Sequence, residues 1–256
     1  MIKLINLTKR FGGFTAVDGI NLEVEPGSIF AFLGTNGAGK TTSIRMITGV
    51  LQPTSGTAEI CGFDIQKEPL KAKAMMGVIP DRPYLYGKLT GREFLTFMAD
   101  LYQVPRRDAV RRIGELLERF GLADWQYDLI DSYSHGMRQR LLMCGSQIHN
   151  PKVLVVDEPM VGLDPRGAKL LKTTFRERAR EGMTIFMSTH SLPVAEEIAD
   201  KLAIIKQGKI VVQGTLSEIY SKARAEHSDL ENVFLDIIGQ EDGEERSTGA
   251  GPEERF

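Results

Sequence analysis

The chain has 256 residues, 42% of them hydrophobic and 26% charged, which excludes collagen-like, disordered and membrane-embedded classes for the chain as a whole. Lys and Arg number 32 against 34 Asp and Glu, a net charge of -2, so no global basic field is available to hold nucleic acid. Two cysteines, Cys61 and Cys144, and four dispersed histidines offer neither a disulfide framework nor zinc-ligand spacing.

Taken in order, the first sixty residues alternate short apolar stretches with turn signals. Ile2 to Leu7, Ile20 to Val24 and the unbroken run Ile29 to Leu33 read as strands, the last buried on both faces. Lys3, Asn6 and Thr8 interrupt the opening segment, and no apolar run approaches the roughly 18 residues of a membrane span. A cytosolic chain without leader or span is therefore expected. Gly34 to Gly39 is a glycine-rich loop, and Thr41 to Val50 follows with Ile44, Ile47 and Val50 at helical spacing.

Residues 90 to 150 are helix-rich: Phe94, Leu95, Met98 and Leu101 fit one helical face, and Val110, Ile113, Leu116, Leu117 and Phe120 fit another that Gly121 ends. The basic cluster Arg106, Arg107, Arg111 and Arg112 is interleaved with Asp108, Glu115 and Glu118 and reads as a solvated helix face. Two further apolar runs, Val153 to Val156 and Thr184 to Met187, read as interior parallel strands. Leu202 to Ile205 and Lys209 to Gln213 predict a closing hairpin, and Leu216 opens a final helical stretch. Residues 241 to 256 hold six acids, two arginines and no aliphatic side chain larger than Ala250, so they predict a disordered acidic tail.

The loop Gly34-Thr35-Asn36-Gly37-Ala38-Gly39-Lys40-Thr41 satisfies G-x-x-x-x-G-K-[ST] between a buried strand and a helix, the context that gives the pattern its meaning. Glycines let backbone N–H groups wrap phosphate oxygens, and the helix N-terminus adds positive potential. Lys40 can then reach β- and γ-phosphates, and Thr41 can ligate Mg²⁺. Val153 to Val156 leads into Asp157-Glu158-Pro159, a carboxylate pair at a strand's C-terminal end, where parallel sheets bind ligands. Asp157 can hold Mg²⁺ through water, and Glu158 can deprotonate the water that attacks the γ-phosphate.

With these motifs the chain resembles the ATP-binding cassette (ABC) family from about Ile2 to Gly214, with further similarity to Gly239. The resemblance implies an α/β fold: a P-loop NTPase core with a mixed, mainly parallel sheet, an antiparallel β subdomain and an inserted helical subdomain. It implies core segments 1–80 and 151–215, a helical subdomain at 82–150 and a C-terminal helical extension at 216–240, together one nucleotide-binding domain over 1–240. Phe11 stands where the family packs an aromatic ring on adenine, although a lone Phe is equally a core residue. Gly34 through Thr42 would hold phosphates. Asp164, in Gly162-Leu163-Asp164-Pro165, looks like the loop that touches the opposite subunit, and His190, in Ser188-Thr189-His190, looks like the histidine that contacts the γ-phosphate.

The family's usual signature Leu-Ser-Gly-Gly-Gln is here Tyr133-Ser134-His135-Gly136-Met137. Ser134 and Gly136 are retained and can meet a γ-phosphate at a helix N-terminus; His135 and Met137 are substitutions. Such variants resemble the branch that exports drugs, polysaccharides and lipids, as does Leu230-Glu231-Asn232-Val233-Phe234-Leu235. Asp81 stands where the family carries a glutamine between Mg²⁺ and the membrane partner; it can ligate a hard cation or be an ordinary turn acid after Pro80.

The resemblance implies a Mg²⁺-dependent ATPase whose signature closes over ATP held by a second ABC subunit, in a homodimer or heterodimer. It also implies a separate membrane-spanning permease subunit docked near Pro83-Tyr84-Leu85-Tyr86, and a position on the cytoplasmic side of the cell membrane. A GTPase would need an Asn-Lys-x-Asp guanine reader, and a DNA-repair or translation ABC protein would show tandem cassettes or a long coiled coil. The chain has none of these. A noncatalytic regulator would be expected to lose Glu158.

Overall fold

Alternating buried and exposed residues make Ile2–Phe11 strand β1 and Phe14–Val24 strand β2, joined antiparallel through the turn at Gly12 and Gly13 with Phe11 opposite Phe14. Both run further than the apolar stretches alone predict, because register shifts after Leu4, Leu7 and Lys9 let the ladder continue through polar positions. Residues 1–81, 84–222 and 230–236 are described in this computed structural model. Strand β3 (Ile29–Leu33) is buried throughout and leads into helix α1 (Lys40–Ile47). Strands β4 (Ser55–Ile60) and β5 (Phe63–Asp64) complete an antiparallel sheet in the order β2-β1-β4-β5.

Helix α2 (Pro69–Ala74) and strand β6 (Met76–Ile79) precede the helical block. Helix α3 (Gly91–Leu101) opens with a reciprocal cap between Thr90 and Glu93. Helices α4 (Arg106–Arg119) and α5 (His135–Gln147) follow, the latter capped by Ser134. Strand β7 (Val153–Asp157), helix α6 (Pro165–Arg180), strand β8 (Thr184–Thr189) and helix α7 (Leu192–Ile198) return to the core. The hairpin β9 (Lys201–Lys206) and β10 (Lys209–Gly214), then α8 (Leu216–Lys222) and a helical stretch over 230–236, close the described chain. The second sheet runs β10-β9-β3-β8-β7-β6, parallel except for the β9/β10 hairpin.

Both faces of that sheet are covered, which is why its central strands are continuous apolar runs. Ile29, Ala31, Leu33, Leu154 and Val156 belong to a core shared with the helical block and α6. Phe30, Phe32, Val153 and Val155 belong to one shared with the antiparallel sheet and α1. There Phe30 stacks on Phe186 with centroids 5.8 Å apart. Leu230 and Val233 of the C-terminal motif are buried in the first core.

Three apolar positions are exposed where helical spacing predicts a buried face. Val50 lies beyond the end of α1, whose last turn is closed by the Thr48 hydroxyl donating to the Ile44 carbonyl. Leu101 is the final residue of α3, and Val110 falls outside the stripe Ala109, Ile113 and Leu117 that α4 buries. The acidic tail at 241–256, and Pro83 of the expected docking segment, lie outside the described residues.

One packing contact joins the helical block to the start of β6. The His149 ring stacks on Tyr102, centroids 3.7 Å apart and planes within 1°, and its Nε2–H donates to the Met76 carbonyl at 3.2 Å. Burial, with the nearby Arg112 charge adding to it, pushes the His149 pKa down from 6.5 to about 4. The folded chain therefore binds this proton less readily than the unfolded chain, and stability falls as pH drops from about 6.5 towards 4. By pH 5 the expected loss from this group is about 2 kcal/mol. Denaturant melts of wild type and His149→Phe at neutral and acid pH check this: the variant should show a shallower decline, and equal slopes would refute it.

Candidate active site

The loop after β3 is shaped by what it packs against. Gly34 lies so near β9 that a Cβ there would stand 2.6 Å from the Ile205 carbonyl oxygen. Gly39, the residue before α1, adopts φ +109 and would put a Cβ 2.6 Å from the Ala16 carbonyl oxygen. A left-handed φ and a backbone neighbour at that range leave only glycine. Between them Thr35, Asn36 and Gly37 are exposed, and Ala38 is buried with its carbonyl accepting from Gly208 N–H at 2.9 Å. Lys40 is buried, and its ammonium donates to the Gly34 carbonyl at 2.7 Å and the Thr35 carbonyl at 3.3 Å.

Strand β7 delivers the acids. Asp157, its last residue, is buried, and its Oδ1 accepts from the Ser188 hydroxyl of β8. The chain then turns: Glu158 takes φ +51, outside the usual range for a non-glycine residue, and its N–H donates to the Ser188 hydroxyl at 3.1 Å. That turn swings the Glu158 carboxylate between the Lys40 ammonium and the His190 ring. Oε1 lies 3.6 Å from Lys40 Nζ, with side-chain exposures of 14% and 7%, and Oε2 lies 3.0 Å from His190 Nδ1. The His190 backbone N–H, just past the end of β8, also donates to Oε2 at 3.4 Å. Ser188 thus fixes the strand-end acid and the backbone of its neighbour together. The sequence pattern named Ser188 only as part of the histidine motif; its register opposite Asp157 across the two strands supplies the role.

A cavity of about 480 Å³ brings most of the expected residues together. Thr35, Asn36, Gly37, Gly39, Lys40, Thr41 and Thr42 line its floor, with Glu158, His190 and Asp81 across from them. Phe11 and Phe14 form its mouth, 49% and 64% exposed, and Lys9 Nζ lies 5.1 Å from the Phe11 ring centroid. Phe14 was missed by sequence reasoning; its pairing opposite Phe11 is the signal that finds it. An adjoining cavity of about 400 Å³ shares Thr41 and Asp81 and adds Asp157. One hydroxyl and two carboxylates are hard oxygen donors that suit Mg²⁺. Among the described residues no group of three or more His, Cys, Asp or Glu side chains is arranged to hold a metal. The donor set therefore fits an ion that arrives with phosphate oxygens.

Ser134 and Gly136 line neither cavity. They sit at the start of α5, where the Ser134 hydroxyl accepts from Met137 N–H at 3.3 Å and both residues face outward. The substituted His135 packs on Gly162 of the loop before α6: a Cβ on Gly162, whose φ is +77, would stand 2.4 Å from His135 Nε2. Asp164, in the same loop, caps α6 by accepting from Gly167 N–H at 2.8 Å.

Comparisons with known proteins find relatives along most of the chain. A family profile described as "ABC transporter" matches residues 17–161. The chain is 35% identical over 222 residues to the linearmycin resistance ATP-binding protein LnrL of Bacillus subtilis, covering 87% of this chain and 71% of that one. It is 33% identical over 240 residues to the ABC transporter ATP-binding protein NatA of Bacillus subtilis, covering 92% and 97%. A solved structure, an ATP binding subunit of an ABC transporter, superposes with a TM-score of 0.88 at 28% identity over 93% of this chain and 99% of that one.

Proposed function

The chain belongs to the ABC transporter family and is one of its ATPases, and on that footing we propose that Lys40, Glu158 and His190 carry out ATP hydrolysis in a site that two subunits complete head to tail. What supports this is the separation of two half-sites within one chain. Lys40, Glu158 and His190 share one cavity, whereas Ser134 and Gly136 line neither that cavity nor the adjoining one.

In this reading the loop N–H groups and Lys40 hold the β- and γ-phosphates, and one of the exposed rings, Phe11, offers its face to adenine. Thr41, Asp157 and Asp81 would hold Mg²⁺, which when bound neutralises charge on those phosphates. Glu158 takes a proton from the water that attacks the γ-phosphorus as the bond to ADP breaks. His190 Nδ1 holds the Glu158 carboxylate in place for that transfer. Ser134 and the N-terminus of α5 contact the γ-phosphate bound by the facing subunit, a second copy of this chain or a related one.

Among the described residues no helix is long and apolar enough to cross a membrane. We therefore assign the translocation path to a separate membrane subunit, with this chain on the cytoplasmic face and residues 1–240 acting as one nucleotide-binding domain. Tyr84, Tyr86 and Phe97 suit the docking of that subunit, because they form an exposed edge-to-face ladder with centroids 5.6 and 5.8 Å apart. Similarity to ATP-binding proteins of linearmycin and daunorubicin/doxorubicin resistance and of bacitracin transport favours export. The test is the solution mass of Glu158→Gln with ATP and Mg²⁺. The expected result is a doubling on adding nucleotide; a mass that stays monomeric at saturating ATP overturns the head-to-tail site.

A further inference from the structure

At the opposite end of α5 from Ser134, a cleft of about 260 Å³ lies between α4, the last turn of α5 and the C-terminal part of α6. With 13 residues in α5, the two ends are about 20 Å apart. Four arginines line the cleft, Arg111, Arg112, Arg119 and Arg178, against one carboxylate, Glu115. Only Arg111 is neutralised by that carboxylate, with Nη1 2.8 Å from Glu115 Oε1. Arg112 donates to the Ile148 carbonyl at 3.1 Å, and neither it nor Arg119 has a carboxylate partner among the described residues. Arg178 holds Glu181 at 2.6 Å and Asn150 at 3.0 Å with its terminal nitrogens, which leaves its buried Nε–H without an acceptor.

Beside them Gln147 is only 3% exposed. Its amide nitrogen donates to the Met143 carbonyl at 3.1 Å, and its Oε1 has no donor. Flipping the amide would set oxygen against oxygen at Met143, so the orientation is determined by that bond. The cleft is thus lined by two cations with no carboxylate partner, Arg112 and Arg119, and by two side chains, Arg178 and Gln147, that each bury a polar atom without a partner. Surface arginines that merely solvate a helix do not converge from two different helices on such a pair, and leaving both polar atoms unmade is costly. The sequence pattern could not reveal the convergence, because Arg178 lies 59 positions from Arg119.

We propose that this cleft binds a small phosphate ester that carries a hydroxyl group. The phosphate oxygens accept from Arg178 Nε–H, Arg112 and Arg119, and the hydroxyl donates to Gln147 Oε1. A lipid headgroup offers the same phosphate, but the cleft's volume matches a free small molecule. The proposal is independent of the ATP site.

The experiment titrates sn-glycerol 3-phosphate, inorganic phosphate and phosphatidylglycerol vesicles into the full chain held in saturating MgADP, so that the phosphate loop does not compete, and follows binding by calorimetry. Glycerol 3-phosphate is expected to bind, with inorganic phosphate weaker, and Arg119→Ser, an exposed position whose loss does not threaten folding, should weaken it about tenfold. Gln147→Met should reduce the preference for the ester over inorganic phosphate. No binding of either phosphate at millimolar concentration, binding unchanged in Arg119→Ser, or binding confined to vesicles would overturn the proposal.

Discussion

Glu158→Gln is expected to bind ATP as tightly as the wild type and to hydrolyse it about 10²- to 10⁴-fold more slowly. Glutamine keeps the shape and can still accept the His190 backbone N–H at Oε. It cannot accept a proton from water. The turn at φ +51 that aims residue 158 into the cavity is set by bonds to Ser188, and the substitution leaves those untouched. Steady-state phosphate release, with nucleotide binding measured separately, checks the split. A variant that turned over within about threefold of wild type would remove Glu158 from the chemistry and point to another base.

Lys40→Met should fail one step earlier. In the structure the ammonium bonds to two loop carbonyls and lies 3.6 Å from Glu158. It is thus a buried cation whose partners are ready to be exchanged for phosphate oxygens. Removing it costs both the charge-assisted contacts to the γ-phosphate and the counter-charge for Glu158. ATP affinity is expected to fall about a hundredfold, equivalent to about 2.7 kcal/mol. Equilibrium titration with a fluorescent ATP analogue measures this directly. The double variant Lys40→Met/Glu158→Gln separates the causes: if uncompensated charge on Glu158 contributes, the double variant melts higher than Lys40→Met alone. Unchanged affinity in Lys40→Met would exclude phosphate contact by this side chain.

How much of this could be read from residues alone depends on the range of the interaction. The phosphate loop, the acid pair and the interior strands are local patterns whose meaning lies within a dozen residues. The fold agrees with the runs Ile29 to Leu33, Val153 to Val156 and Thr184 to Met187 as parallel neighbours. What stayed hidden is non-local. Nothing in the sequence sets Ser188 opposite Asp157 or His135 against Gly162; strand register and helix packing do that. Helical spacing also overstated three faces, at Val50, Leu101 and Val110, because a periodic pattern carries no information about where a helix stops or which arc of it is covered. Arg111 and Arg112 of the arginine row on α4 looked solvated for a related reason: the cleft they line also takes Arg119 and, from α6, Arg178.

The outward position of Ser134 on α5 has a consequence for inheritance. If that hydroxyl serves a neighbour's nucleotide, damage to it leaves the damaged copy's own loop sound and disables whichever healthy copy it meets. In a cell making both forms of the subunit, such an allele would act dominantly, silencing more machines than its share of the protein pool.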